Sequence, residues 1–139
     1  FKSQNKSMSS SSSKPITTKF APAPVGPYNQ AILAGDWIYC SGQIAINPSN
    51  GLMTGDGDIE AETHQVLHNL IAVLKEAGAN PSHIVRTTIY LVNLNDFNIV
   101  NKIYAELFKD CVSPARACIQ VAALPKGGLV EIDCVAWLG

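Results

Sequence analysis

Apolar residues recur along the chain with two different periods. Val66, Leu67, Leu70, Ile71, Leu74 and Ala77 follow one another at three- and four-residue steps, which places them on one stripe of a helix. Asp58 ahead of the run can cap it, and Gly78 behind it is a natural C-terminal cap. Phe97, Val100, Tyr104, Leu107 and Phe108 repeat the pattern and predict a second helix, capped by Asn95 or Asp96 and ending near Asp110. Between the helices, residues 84–92 are dense in β-branched side chains and predict a strand. Residues 31–33 and 37–43 are short β-branched and aromatic runs joined by Gly35-Asp36, the chemistry of a tight turn between two strands. The runs 115–123 and 129–138 flank Leu124-Pro125-Lys126-Gly127-Gly128 and read as a closing hairpin. Residues 21–30 contain three prolines, each restricting the residue before it, so an extended lead-in is expected there. A polar, glycine-rich loop spans 47–57, and no internal repeat is present.

The resulting order is strand, strand, helix, strand, helix, strand, strand. It predicts an α+β fold: a mixed sheet with both helices on one face. Ile38, Cys40, Ile89, Leu91, Ile119, Val121, Ile132, Cys134 and Leu138 supply more apolar strand positions than two helices obviously hide. Burial of the second sheet face against other subunits is therefore expected.

Composition narrows the function. The 139 residues are 47% hydrophobic and 15% charged, the make-up of one globular domain, assigned to 21–139. The formal charge of -1 hides an asymmetry, because residues 1–20 carry four lysines and no acid, which leaves -5 on the remainder. So few basic residues offer little for counterion release, which argues against nucleic-acid binding. No apolar run approaches the ~20 residues of a membrane-spanning helix. The first 13 residues hold seven serines and no apolar period, and segment 1–20 reads as a tail. Its Ser-rich, Lys-bearing, acid-free character is that of the end of a transit peptide, pointing to a chloroplast, with a mitochondrion or the cytoplasm as alternatives; a low-complexity linker is the plainer reading. The four cysteines lack CxxC spacing and lie mostly in apolar surroundings, as reduced thiols would.

Several constellations resemble catalytic motifs. His64 and His68 have the i, i+4 spacing of a metal pair, but Gln65 stands where a zinc protease has its glutamate and no third ligand is evident, so a solvated helix face is the weightier reading. Gly51, Gly55 and Gly57 are not followed by Lys-Ser or Lys-Thr, and Asp56, Asp58, Glu60 and Glu62 would repel phosphate. Those acids also lack EF-hand spacing. Ser41 has no nucleophile-elbow glycines. More informative is Arg116, a charge in an apolar strand, with Cys118 and Gln120 on its face by period two. In the next strand Glu131 and Asp133 oppose Val130, Ile132 and Cys134. If the hairpin register places Ala123 opposite Val130, Arg116 and Glu131 share a face; a one-residue slip separates them. On spacing alone two readings stand level: a pocket where the guanidinium takes a substrate carboxylate while the glutamate orients water, and an interfacial ion pair.

Taken together, Gly26-Pro27-Tyr28-Asn29-Gln30, Ser41-Gly42-Gln43, Leu94-Asn95-Asp96-Phe97 with Asn101, Pro114-Ala115-Arg116, Leu124-Pro125-Lys126 and Val130-Glu131-Ile132 resemble the reactive intermediate deaminase family, also called Rid or YjgF, in its RidA branch. The likeness runs collinearly over roughly 20–138. It implies a chorismate-mutase-like fold, a homotrimer with three clefts between subunits, and hydrolysis of 2-imino acids such as 2-iminobutanoate and 2-iminopropanoate to 2-keto acids and ammonia. It further implies a link to pyridoxal-phosphate enzymes that release enamines, such as threonine dehydratase in isoleucine synthesis. No cofactor and no metal is implied. By position, Arg116 matches the carboxylate-binding arginine, Glu131 the acid that activates water, and Cys118 a cysteine whose backbone faces the ligand; its thiol is read as packing. Tyr28, Ser41, Gly42 and Asn101 match residues that orient or enclose it. A non-catalytic trimer that binds a keto or amino acid as a regulator is the alternative, since the same arginine would bind without turnover.

Overall fold

The computed structural model describes residues 13–139. Six strands form one sheet: β1 Lys14–Ile16, β2 Ala31–Ala34, β3 Trp37–Gln43, β4 Ile84–Leu91, β5 Ala115–Gln120 and β6 Val130–Trp137, arranged β1-β2-β3-β6-β4-β5. Two helices, α1 Ile59–Glu76 and α2 Phe97–Leu107, cover one face, as the periodicity predicts. Short 3-10 turns precede β4 (Pro81–His83), α2 (Leu94–Asp96) and β6 (Pro125–Gly127).

Local chemistry explains the boundaries. Asp58 caps α1 by accepting the Glu60 amide at 3.1 Å, and Gly78 beyond its end takes φ +85. The cap ahead of α2 differs from expectation. Asn93 accepts the Asn95 amide at 2.9 Å and starts the 3-10 turn that feeds the helix, while Asp96 makes no side-chain cap. The helix stops at Leu107, three residues short of Asp110.

The main correction concerns the closing hairpin. β5 and β6 do not pair; β5 runs parallel to β4 at the sheet edge, and β6 enters between β3 and β4, antiparallel to both. The unit β4-α2-β5 is the helical crossover that a parallel pair requires. The glycine-containing loop that looks like a hairpin turn instead carries the chain over β4, a step of about 10 Å across two strand spacings. β1 was also unexpected: Lys14–Ile16 pairs with β2, so the end of segment 1–20 joins the sheet. Residues 1–12 of that segment lie outside the described residues.

The core lies between the sheet and the helices, with Val66, Leu70, Val73 and Leu74 of α1 against Ile38, Ile89, Ile132 and Cys134. Most of the strand positions that seemed in excess are thus hidden within one chain. The apolar surplus on the open face is a different set: Trp37, Tyr39 and Trp137 are about half exposed, and so is Ile119 of β5.

Candidate functional site

The site residues read from the sequence divide into two groups. Tyr28, Ser41, Gly42 and Glu131 line one cleft of about 390 Å³, floored by the β3-β6 pair and walled by the proline-rich lead-in, Ile44, Ile46 and the Pro125-Lys126 lip. The β3-β6 register slips between Cys40 and Gln43, so Ser41 and Gly42 form a bulge that opens the sheet surface at this point. The Ser41 hydroxyl donates to the Asn29 carbonyl at 2.6 Å and its amide donates to the Gln30 carbonyl at 2.9 Å, which ties lead-in to bulge. Tyr28 closes a turn by accepting the Val25 amide at 3.3 Å through its hydroxyl.

Glu131 rises from β6 directly against Gly42. A Cβ on Gly42 would stand 2.8 Å from the Glu131 carboxyl carbon. Here glycine is required by space, so that the acid can lie over the bulge. Burial, and secondarily the negative Asp133, raise the Glu131 pKa above the ordinary glutamate value. Asp133 itself accepts the Tyr90 hydroxyl at 3.0 Å. The result is a half-buried carboxylate more basic than usual, facing a cleft, with no ion pair among the described residues.

Arg116 is elsewhere. It is the register partner of Thr87, which in turn pairs with the buried Cys134, so the Arg116 side chain emerges on the helix-covered face. Glu131 follows the opposite alternation, so the two functional charges lie on opposite faces of the sheet, and the single-chain pocket in which they meet is not formed. Arg116 instead lies along α2. Its Nη1 donates to Asn101 Oδ1 at 2.6 Å, and its guanidinium carbon is 5.4 Å from the Phe97 ring centre and 5.0 Å from that of Tyr104. Cys118, next on that face, is half-buried; burial raises its pKa and the Arg116 charge opposes the shift. A raised thiol pKa leaves less of the thiolate, which is the nucleophilic form. The second group is therefore Arg116, Asn101 and Cys118 at one edge of the sheet, with the exposed guanidinium keeping free donors.

Three polar residues to which the sequence reading gave no role hold the cleft together. Gln30 is buried and its side chain spans the lead-in: Oε1 accepts the Thr18 amide at 2.7 Å, and Nε2 reaches the carbonyls of Thr18, Ala21 and Pro22 at 3.0, 3.2 and 2.8 Å. Asn69 of α1, fully buried, donates to the Ile44 and Ile46 carbonyls at 3.2 and 2.9 Å, which fixes the apolar wall. Glu62, also buried in α1, accepts the Leu129 amide at 2.9 Å and anchors the lip, where Lys126 takes φ +56. Burial raises the Glu62 pKa, the Leu129 bond lowers it and Asp58 adds to the rise. The signal for Glu62 and Asn69 was in the pattern: they stand four before and three after Val66, on the apolar stripe where a polar residue needs a partner. His64 and His68, by contrast, lie on the exposed side of α1, and the described residues include no group of three side chains fit to hold a metal.

Comparison with known proteins gives the family and the fold. A family model described as Endoribonuclease L-PSP matches residues 18–138. The human protein named 2-iminobutanoate/2-iminopropanoate deaminase is 48% identical over 132 residues, 95% of this chain and 95% of that one. Among solved structures, a conserved Rid family protein of unknown function, YyfA from Yersinia pestis, superposes with TM-score 0.88 at 48% identity, covering 91% of this chain and 99% of that chain. E. coli TdcF with bound serine superposes with TM-score 0.86 at 34% identity, covering 91% and 99%.

Proposed function

The chain belongs to the Rid/YjgF family, and from that premise we propose that it is a 2-iminobutanoate/2-iminopropanoate deaminase whose sites form between the subunits of a homotrimer. The observation that carries the reading is the division of the site: a carboxylate tuned toward basicity in a cleft on one sheet face, and an arginine with free donors at an edge on the other. Each half lacks what the other supplies. In a cyclic assembly, the Arg116 edge of one subunit meets the Glu131 cleft of its neighbour, and the apolar open face is covered at the same time. The human relative's name and the serine bound to E. coli TdcF, an amino acid with a carboxylate to recognise, support this ligand class.

The chemistry follows from the parts. Arg116 takes the substrate carboxylate through two parallel N–H bonds, with Asn101 fixing the fork. This sets C2 of the imine over Glu131 of the adjoining subunit. As water adds to C2, Glu131 accepts one of its protons and passes it to the imine nitrogen, which gives a carbinolamine. Glu131 then takes the proton of the new hydroxyl and returns it to the nitrogen as the C–N bond breaks and C2=O forms, so that ammonia and a 2-keto acid are released. Assisting these proton transfers typically contributes ~10²–10⁴-fold, beside what positioning the two reactants supplies. The substrates would come from pyridoxal-phosphate enzymes that release enamines, threonine dehydratase among them. The Ser/Lys-rich leader supports delivery to a plastid, which a reporter fusion carrying the full leader tests.

The test is complementation by mixing. A threonine dehydratase generates the imine, and semicarbazide traps what the deaminase does not hydrolyse. Arg116→Ala and Glu131→Ala are each expected to be inactive. Unfolding and reassembling them together at equal ratio leaves about one site in four with both groups intact in a closed ring, and activity returns accordingly. Mixtures that stay inactive overturn the shared site. Wild-type protein that leaves semicarbazone yield unchanged overturns the deaminase, and if that protein and its Glu131→Gln variant bind keto acid equally, the regulator is favoured; a deaminase instead loses rate in Glu131→Gln.

A further inference from the structure

Arg116 sits on an edge strand with its charge exposed, a setting in which a long side chain ordinarily samples many rotamers. Here it does not lie free. Phe97, Asn101 and Tyr104 fall at i, i+4 and i+7 of α2 and make one stripe, and the guanidinium lies along it within cation–π range of both rings. Both rings lie against the guanidinium, and Asn101 takes one donor of Nη1. Bidentate capture of a carboxylate needs two N–H donors, and among the described residues only the Asn101 bond engages this exposed guanidinium.

The stripe is itself anchored. Tyr104 is 5% exposed, packs on Phe108 with ring centres 4.9 Å apart, and shares a 2.6 Å hydrogen bond with the hydroxyl of Thr87, which is 1% exposed. Thr87 is the register partner of Arg116, so the strand residue beside the arginine holds the ring that the arginine stacks on. A buried Thr-Tyr pair costs desolvation of two hydroxyls, and a Val-Phe pair would fill the same space.

We propose that Tyr104, held by Thr87, is a positioning residue for Arg116, setting the guanidinium plane at the angle the substrate carboxylate requires. The proposal rests on the reading of Arg116 as the carboxylate-binding group. Tyr104 touches neither substrate nor reacting atoms; it acts through the arginine.

The experiment compares KM and kcat for imine hydrolysis, and the dissociation constant of 2-oxobutanoate, across variants of the assembled protein. Tyr104→Leu removes the ring and is expected to raise KM and the dissociation constant about fivefold, with kcat within about twofold. Tyr104→Phe and Thr87→Val each keep the packing and lose the anchor; each is expected to raise KM about twofold, and the double variant no further, since both remove one bond. The decisive arm repeats Tyr104→Leu on an Arg116→Lys background, where no planar fork remains to orient, and no further rise in KM is expected. An equal rise on that background overturns the proposal, as does an unchanged KM in Tyr104→Leu. If Tyr104→Leu does not assemble, unchanged KM in both Tyr104→Phe and Thr87→Val overturns it. An Arg116→Ala variant with normal KM would instead overturn the carboxylate-binding reading beneath it, so the two failures are distinguishable.

Discussion

Gly42→Ala is the smallest change that reaches the proposed chemistry. The added methyl would lie 2.8 Å from the Glu131 carboxyl carbon and 3.0 Å from its Cγ, with a carboxylate oxygen nearer still. Ordinary carbon contacts begin at about 3.5 Å, so the carboxyl group must retreat by roughly 1 Å, away from the bulge and out of line with the water it is proposed to activate. A misplacement of about 1 Å costs on the order of 10²-fold, within the ~10²–10⁴-fold that acid-base assistance supplies in all. kcat is therefore expected to fall about 100-fold. KM should hardly move, because the carboxylate is proposed to be held by Arg116 of the adjoining subunit, and within the chain the new methyl meets only Glu131. Stability should change by no more than about 1 kcal/mol, since alanine is favoured over glycine in a strand and the clash is relieved by a movable side chain. The measurement is the semicarbazide-trapping assay on protein whose mass and melting temperature match wild type. A Gly42→Ala enzyme whose kcat stays within about threefold of wild type would refute the placement of Glu131 as the acting base. So would a Gly42→Ala/Glu131→Gln double variant far worse than Glu131→Gln alone, because the methyl would then be acting elsewhere.

Two further outcomes follow from the residues that hold the cleft. Gln30→Leu leaves the buried Thr18 amide and the lead-in carbonyls without their partners, and should cost about 3 kcal/mol of unfolding free energy in urea titration, together with most of the activity. Glu62→Gln keeps an oxygen for the Leu129 amide and removes a titratable group whose folded pKa burial has raised. Such a group contributes stability that is fully present below its unfolded pKa and is lost as pH rises through the folded one. The Gln variant should therefore gain on wild type from pH 4 to pH 7 in paired denaturation curves; a difference that is flat or shrinks over that range is the contrary result.

The helices, most strands and the Asp58 cap were legible because each depends on neighbours in sequence: period, β-branching, a side chain beside the amide it accepts. The closing strands were not. Their loop has hairpin chemistry, and nothing local distinguishes a turn that pairs its flanks from one that steps over a strand. β1 is three residues with one proline, too short to show a period. Tyr28, Ser41, Gly42 and Glu131 line one cleft while Arg116, Asn101 and Cys118 lie at an edge, and which face each one took was decided by pairing. The pattern places Glu62 and Asn69 on the apolar stripe, but their partners, and those of Gln30, lie far off in sequence and are set by the fold.

β5 shows why face could not be read from polarity. On β6 the rule holds, with Ile132 and Cys134 buried and Glu131 and Asp133 on the open side. The same rule applied to β5 would bury Ile119 and expose Arg116 on the open face, beside the acids. The sheet does the reverse: Ile119 lies on the open face, 46% exposed, while Arg116 turns to the helices. Such an inversion is unfavourable for an isolated chain, which leaves an isoleucine in water and places a cation beside the core. It is offset locally by the α2 stripe that receives the guanidinium, and on the other side it is favourable only when a neighbour covers Ile119 with Tyr39 and Trp137. The pattern that misled the strand-by-strand reading is thus the one a shared site requires. In the proposed homotrimer the apolar open face would join the subunits, and a charge carried to the sheet edge, rather than into the chain's own cleft, would be free to serve the cleft of the next.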